Sequence, residues 1–221
     1  MLLVEPHIKG SIAMANASLK EHPYVSYKTL RRTVGVLGMA LPVVVALWGF
    51  ALLGRVEMLD SISDYYSLRT RDVFVGILFA IGRFVFAYKG PDRRDDHHGD
   101  LACLFAMGVA LFPTGGGGWQ SKAHFTFAAL LFLVLAYFSL FLFTKSEGVV
   151  TSEKRVRNRV YIICGCLMLV CIVLIGLFKW GLFGTAIGSL KPVFWLEAFA
   201  LWAFGVSWFV KGETLWRDQG A

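Results

Sequence analysis

Charged residues are scarce in this sequence: Asp, Glu, Lys and Arg make up only 17% of it, whereas hydrophobic residues make up 57%. Soluble globular domains contain about 25% charged and about 45–50% apolar residues. The apolar residues are also grouped in long runs and do not alternate with polar ones at the period of a helix or strand. This distribution excludes an ordinary soluble domain and predicts an integral membrane protein.

Cysteine is rare as well, and all of its positions fall within hydrophobic runs: Cys103, Cys164, Cys166 and Cys171. A disulfide framework needs cysteines in loops at an oxidising surface, so these positions predict buried thiols. The histidine motifs HExxH and HxxxH are missing, and the adjacent His97 and His98 follow a run of charged residues typical of a solvated turn. A metal site needs three or four ligands at suitable spacing, so we predict no metal and no cofactor.

The start of the chain does not look like a cleavable signal peptide. Residues 1–4 are apolar, but Glu5, Pro6 and Lys9 stop this run well short of a signal core. We therefore expect the first hydrophobic helix to act as an uncleaved insertion signal. The chain divides into a basic N-terminal tail at 1–32, a transmembrane domain at 33–210 and a short C-terminal tail at 211–221.

Six hydrophobic runs predict six transmembrane helices. The runs are Thr33–Gly54, Asp72–Tyr88, Leu101–Pro113, Ala123–Thr144, Val160–Trp180 and Pro192–Val210. A spanning helix needs roughly 20 residues. The second run is interrupted by Arg83, and the third is short and precedes four glycines, so a re-entrant segment is the alternative for the third. We predict an all-α bundle of six membrane-spanning helices.

The basic residues predict the orientation of this bundle. With the N-terminus in the cytoplasm, 15 of the 22 Lys and Arg residues fall in cytoplasmic segments and 6 in outer segments. Such an excess is typical of cytoplasmic loops, so both termini are predicted to be cytoplasmic. The net charge of +7 is explained by these juxtamembrane segments, so it predicts contact with anionic lipids and no nucleic-acid partner.

The segment that joins the first two helices is the most polar one on the predicted outer face. It contains serines, tyrosines, arginines and carboxylates suited to hold a phosphate or a lipid headgroup. The predicted ligand-binding residues are Tyr65, Tyr66, Arg69, Arg71 and Asp72. For Asp72 alone, the alternative is a structural role with the dipole and free N–H groups at the start of the second helix.

Two further ionisable residues are predicted to lie at the same outer depth. Glu197 lies in an otherwise apolar helix, where an acidic group is costly and indicates a function, and His124 opens the fourth helix. A carboxylate beside a histidine suits acid–base chemistry, and Ser61 or Ser63 could supply a nucleophile. The predicted catalytic residues are Ser61, Asp64, His124 and Glu197. The alternative is that Glu197 and His124 only hold helices together.

Several of these segments resemble known families. The run 61–66, the run 71–76, Ala110–Thr114 and Phe194–Glu197 are similar to signatures of a bacterial multispanning family, a domain of unknown function. This resemblance implies a multi-pass protein of the bacterial inner (cytoplasmic) membrane. The run 61–64 is distantly similar to Frag/DRAM-type proteins, which are linked to lipid remodelling. The CREST membrane hydrolases offer an analogy, but they use three histidines around zinc, and here His124 is alone in its layer.

These observations leave three functional hypotheses. The first is an outer-leaflet polar pocket that recognises the headgroup of a lipid or amphiphile and that, as a further option, hydrolyses it. The second is a non-catalytic scaffold subunit of a protein complex or homo-oligomer, with small residues at helix contacts: Gly35, Gly38, Gly76 and Gly205. The third, a transporter or channel, needs polar residues through the full membrane depth.

Overall fold

The protein is helical throughout the part of the chain that the structure describes, and no strand occurs there. A computed structural model describes residues 26–53, 58–90, 93–146, 150–181 and 185–216. The α-helices are α1 (Tyr27–Leu53), α2 (Arg71–Ala87), α3 (Arg93–Leu111), α4 (Trp119–Tyr137), α5 (Ser152–Lys179) and α6 (Pro192–Lys211). Two 3-10 helices, Ile62–Ser67 and Thr185–Leu190, precede α2 and α6, and a π-helical turn, Phe138–Leu142, ends α4. The all-α prediction is confirmed.

Four helical segments are long and apolar enough to cross a membrane. They are Tyr27–Ala51, Trp119–Leu142, Ser152–Lys179 and Gly188–Lys211. These segments fit the predicted membrane protein, whereas the full six-span bundle and its orientation stay predictions. Helix α2 has 17 residues with Arg83 among them, and the first eight residues of α3 are mostly polar or charged.

The helices extend further than the hydrophobic runs. Helix α1 begins at Tyr27 and not at Thr33, and α3 begins at Arg93 and not at Leu101. Hydropathy marks the part of a helix that suits lipid, while the backbone hydrogen bonds continue into the polar interface. The predicted tail at 1–32 therefore contributes its last residues to α1, and residues 1–25 lie outside the described part of the chain.

The helices form a ring in which each one packs against its neighbour in the chain and α6 returns to α1. Small residues set the contact between α1 and α6. A Cβ added to Gly35 would lie 2.6 Å from the carbonyl oxygen of Gly205, and one added to Gly38 would lie 2.6 Å from the Phe204 ring. The indole N–H of Trp202 in α6 donates to the carbonyl of Met39 in α1, at 3.1 Å. Close backbone approach of this kind stabilises helix pairs in membranes.

The two ends of the ring differ in their chemistry. At one end, the start of α1 is tied to the end of α6: Arg32 Nε donates to the Gly212 carbonyl at 3.0 Å, and Lys28 pairs with Glu213 at 2.6 Å. The buried Asp95 pairs there with Lys145 at 3.7 Å. The opposite end carries the 3-10 helix Ile62–Ser67 and the starts of α2, α4 and α6, where the candidate site lies.

Candidate functional site

The 3-10 helix Ile62–Ser67 is an anchored segment between α1 and α2. Ser61 is its N-cap, with its side-chain oxygen accepting from the Asp64 N–H at 3.2 Å, as serine commonly does at helix starts. The ring of Tyr65 is fully buried and lies against Gly49 of α1, where an added Cβ would be 2.4 Å from it. Burial raises the pKa of the Tyr65 phenol, so this side chain is neutral and serves packing.

Three polar contacts hold residues 60–62, at the entry to this 3-10 helix, to the start of α6. Oε2 of Glu197 accepts from the Ile62 N–H at 2.6 Å. The Asp60 carbonyl accepts from the Phe194 N–H at 3.0 Å, which satisfies one of the free N–H groups of the first turn of α6. Lys191 Nζ pairs with the Asp60 carboxylate at 2.6 Å. The carboxylate of Glu197 thus faces the backbone of the predicted polar segment.

His124 connects this segment to the turn between α3 and α4. Its Nδ1 lies 2.8 Å from the Phe112 carbonyl oxygen, and its Nε2 lies 3.1 Å from Ser63 Oγ. A carbonyl can only accept, so Nδ1 carries the proton of the neutral imidazole and Nε2 accepts from the Ser63 hydroxyl. The ring is fully buried. A serine hydroxyl that donates to one ring nitrogen of a histidine, with the other ring nitrogen held by a third group, is a geometry that suits nucleophilic catalysis.

Ser63 and Glu197 line a cleft between α4, α5 and α6. The cleft has a volume of about 470 Å³, within the range of roughly 300–1,000 Å³ that small-molecule sites occupy. Its lining is apolar apart from three residues: Ser63, Lys179 and Glu197. The apolar lining is Phe125, Ala128, Ala129, Phe132, Ile172, Ile175 and Gly176. Ser63 and Glu197 also line an adjoining apolar cavity of about 60 Å³.

Lys179 supplies the positive charge of the cleft. Its side chain is exposed, and Nζ lies 4.8 Å from the centre of the Phe125 ring. It lines the same cleft as Glu197. Among the lining residues that the structure describes, no other lysine or arginine occurs. An anionic group that enters the cleft can therefore pair with Lys179.

The structure brings together three features that the sequence predicted at one depth: His124, Glu197 and the segment that contains Ser63. Asp64 is partly exposed and follows Ser63 in the 3-10 helix. Ser61 is occupied as the N-cap, and Ser63 is the serine that meets the histidine. The catalytic roles assigned to these residues stay predictions.

The predicted headgroup residues lie elsewhere and are not among the described residues that line the cleft. The buried Tyr66 donates its hydroxyl proton to the Leu111 carbonyl at 3.2 Å, and the Arg71 guanidinium lies over its ring at 5.0 Å. Arg69 and Asp72 are exposed. Contact of these side chains with a headgroup stays a prediction.

Lys179 is the one polar residue of the cleft that sequence reasoning missed. Its position in the last turn of α5 is explained by the helix dipole and by an interfacial belt of basic residues, so its sequence context gives no separate signal. The sequence did indicate Ser63, because it named Ser61 or Ser63 as a possible nucleophile. The spacing of the two serines alone does not say which of them faces His124.

Comparison of the chain with family models, with curated proteins and with solved structures finds no match. The resemblances to a bacterial multispanning family, to Frag/DRAM-type proteins and to membrane hydrolases therefore stay predictions.

Proposed function

We propose that the protein is a multi-pass protein of the bacterial inner membrane whose cleft between α4, α5 and α6 binds a single-chain amphiphile with an anionic headgroup. One observation carries this proposal: the cleft joins a wholly apolar wall to the single cation Lys179, beside Ser63 and Glu197. The apolar stretch from Phe125 to Phe132 extends for roughly 10 Å along α4 at 1.5 Å per residue. It suits a hydrocarbon chain, with the acidic group of the ligand beside Lys179.

The proposal includes six membrane crossings with both termini in the cytoplasm. Helices α2 and α3 are continuous helices of 17 and 19 residues. At 1.5 Å per residue α2 is roughly 26 Å long, close to the hydrocarbon thickness of about 30 Å. Helix α3 is roughly 29 Å long, and its polar first eight residues would extend through the interface. Exposed apolar side chains, Phe86, Leu104 and Leu111, suit contact with lipid. The site then lies at the outer leaflet.

Single cysteines placed in a cysteine-free background test this topology. In intact cells, a membrane-impermeant maleimide is expected to label cysteines at the exposed positions Ser67, Lys122 and Ser189, because all three belong to the outer end. Cysteines at the exposed positions Thr29 and Ser146 are expected to react only after the membrane is opened. Labelling of Ser67 and Lys122 on opposite sides of the membrane would remove the proposed site.

Ligand binding is tested by the change Lys179→Ala. The purified protein in detergent is titrated with a dansyl-labelled undecanoic acid, and the dansyl fluorescence gives Kd. We expect Kd to rise about 10- to 100-fold, because a hydrogen bond to a charged group contributes about 1.5–3 kcal/mol. The change Lys122→Ala is the matched control: it removes an exposed lysine at the start of α4 that does not line the cleft.

The change Gly176→Phe tests the apolar wall separately from the charge. Gly176 lines the cleft, and an added Cβ there meets no atom within 4 Å. We expect it to fill the cleft and abolish binding of the dansyl acid. Equal Kd values for Gly176→Phe, Lys179→Ala and the unaltered protein would overturn the proposal.

The scaffold hypothesis finds less support in the packing. Three of the four glycines that suggested helix contacts with a partner, Gly35, Gly38 and Gly205, are used between α1 and α6 of the same chain. Only Gly76 is open, with nothing within 4 Å of an added Cβ. We therefore place lipid binding ahead of assembly with a protein complex or a homo-oligomer.

A further inference from the structure

Ser63 and His124 form a hydrogen-bonded pair at the edge of the cleft. Resting on the proposed amphiphile site, we propose that Ser63 is the nucleophile and His124 the general base of an esterase, and that its substrate is a carboxylic ester with one hydrocarbon chain. The proposal stands on geometry: Ser63 Oγ lies 3.1 Å from Nε2 of His124 and lines the cleft that would hold the ligand.

The surroundings fix the direction of proton transfer. The Phe112 carbonyl, 2.8 Å from Nδ1, keeps the proton on that nitrogen and leaves the Nε2 lone pair directed at the serine hydroxyl. Because the carbonyl oxygen stabilises the imidazolium that forms when Nε2 accepts a proton, it takes the place that a carboxylate has in many serine hydrolases. The Thr114 hydroxyl donates to the Ser63 carbonyl at 3.1 Å, which holds the nucleophile's backbone in place.

The proposed hydrolysis has two steps, acylation and deacylation of Ser63, and water is the only co-reactant. Ser63 Oγ bonds to the carbonyl carbon of the ester while His124 Nε2 takes the hydroxyl proton. The bond to the leaving oxygen then breaks, His124 returns the proton to that oxygen, and the acyl group remains on Ser63. Water attacks the acyl carbon with His124 again as base, the bond to Oγ breaks, and the proton returns to Oγ. The products are a carboxylic acid and an alcohol.

The carboxylic acid product fits the cleft. It carries a negative charge once formed, and Lys179 is the cation of the lining, while the hydrocarbon chain remains along α4 and α5. The cleft thus suits both the acyl chain of the substrate and the product of its hydrolysis. The adjoining apolar cavity of about 60 Å³ leaves room for water-sized molecules beside Ser63.

The test uses the full chain in detergent with p-nitrophenyl octanoate, whose hydrolysis releases coloured p-nitrophenolate. We expect Ser63→Ala and His124→Gln each to lower kcat by at least about 100-fold, because a positioned acid–base group contributes roughly 10²–10⁴-fold. A fluorophosphonate probe is expected to modify Ser63, as read by peptide mass spectrometry. The matched control is Ser67→Ala, in the same 3-10 helix but exposed and absent from the described lining, with unchanged kcat.

If Ser63→Ala does not fold, the variant Ser63→Cys tests the same role of this residue. Ser63→Cys retains a nucleophile of similar size beside His124, and we expect its ester hydrolysis to become sensitive to iodoacetamide and insensitive to fluorophosphonate. Binding of the dansyl acid with no ester turnover and no modification of Ser63 would overturn the esterase and leave the amphiphile site standing. Ester turnover and modification of Ser63, with the Kd for the dansyl acid unchanged in Lys179→Ala and Gly176→Phe, would instead overturn the amphiphile site.

Discussion

An alanine at Gly35 is expected to lower the thermal unfolding midpoint of the protein markedly, whereas an alanine at Gly76 is not. The added Cβ at Gly35 would lie 2.6 Å from the Gly205 oxygen and 2.7 Å from the Phe209 nitrogen. Both atoms belong to the backbone of α6, so no side chain can rotate away and the helix must move. Overpacking of this kind typically costs about 1–3 kcal/mol or more, which exceeds the roughly 1 kcal/mol that alanine gains over glycine in a helix.

The comparison is made on purified protein in detergent by following intrinsic tryptophan fluorescence during heating. At Gly76 an added Cβ has open space, so only the helix preference acts and the midpoint is expected to stay or rise slightly. Gly205→Ala is expected to behave like Gly35→Ala, because its Cβ would lie 2.5 Å from Met39 Cγ and 2.6 Å from the Gly35 oxygen. Equal midpoints for the Gly35 and Gly76 variants would contradict the close packing of α1 on α6.

Hydropathy predicted where helices lie but not how far they continue. The long apolar runs correspond to α1, α4, α5 and α6, because a spanning helix must be apolar over most of its length. Hydropathy does not predict the start of α3, because the segment 93–100 is mostly polar or charged, yet it is helical. Backbone hydrogen bonds, which hydropathy does not register, continue that helix through the polar interface.

The candidate site was predictable in outline because successive helices that alternate in direction bring certain residues to one end of the bundle. His124, Glu197 and the segment after α1 do meet. The choice between Ser61 and Ser63 was not predictable, since it depends on the rotational setting of a short 3-10 helix. In the structure that helix starts at Ile62, which makes Ser61 the cap and turns Ser63 toward His124.

The role of the tyrosines depends on packing that the sequence does not reveal. Tyr65 and Tyr66 were expected to face a headgroup, as tyrosines at a membrane interface often do. In the structure both rings are buried, and the Tyr66 hydroxyl satisfies a carbonyl at the end of α3. The Tyr66 hydroxyl thus joins the 3-10 helix to the end of α3.

The change Glu197→Leu is expected to release the segment 58–70 from α6. Oε2 of Glu197 accepts from the Ile62 N–H at 2.6 Å, and Ile62 is buried. Leucine removes the acceptor and leaves that N–H without its partner, which costs about 1–3 kcal/mol. We expect a lower thermal midpoint together with faster amide hydrogen exchange in 58–70, measured by mass spectrometry. Because His124 depends on Ser63 in the same segment, dansyl binding and ester turnover are expected to fall as well.

Two variants show whether the carboxylate acts through this hydrogen bond. Glu197→Gln keeps an acceptor oxygen of the same reach, so exchange in 58–70 is expected to stay close to that of the unaltered protein although the charge is gone. Asp72→Leu removes an exposed carboxylate at the start of α2, where a charge typically contributes about 0.3–1 kcal/mol through the helix dipole. Fast exchange in Glu197→Gln equal to that in Glu197→Leu would show that the charge, and not the bond to Ile62, holds the segment on α6.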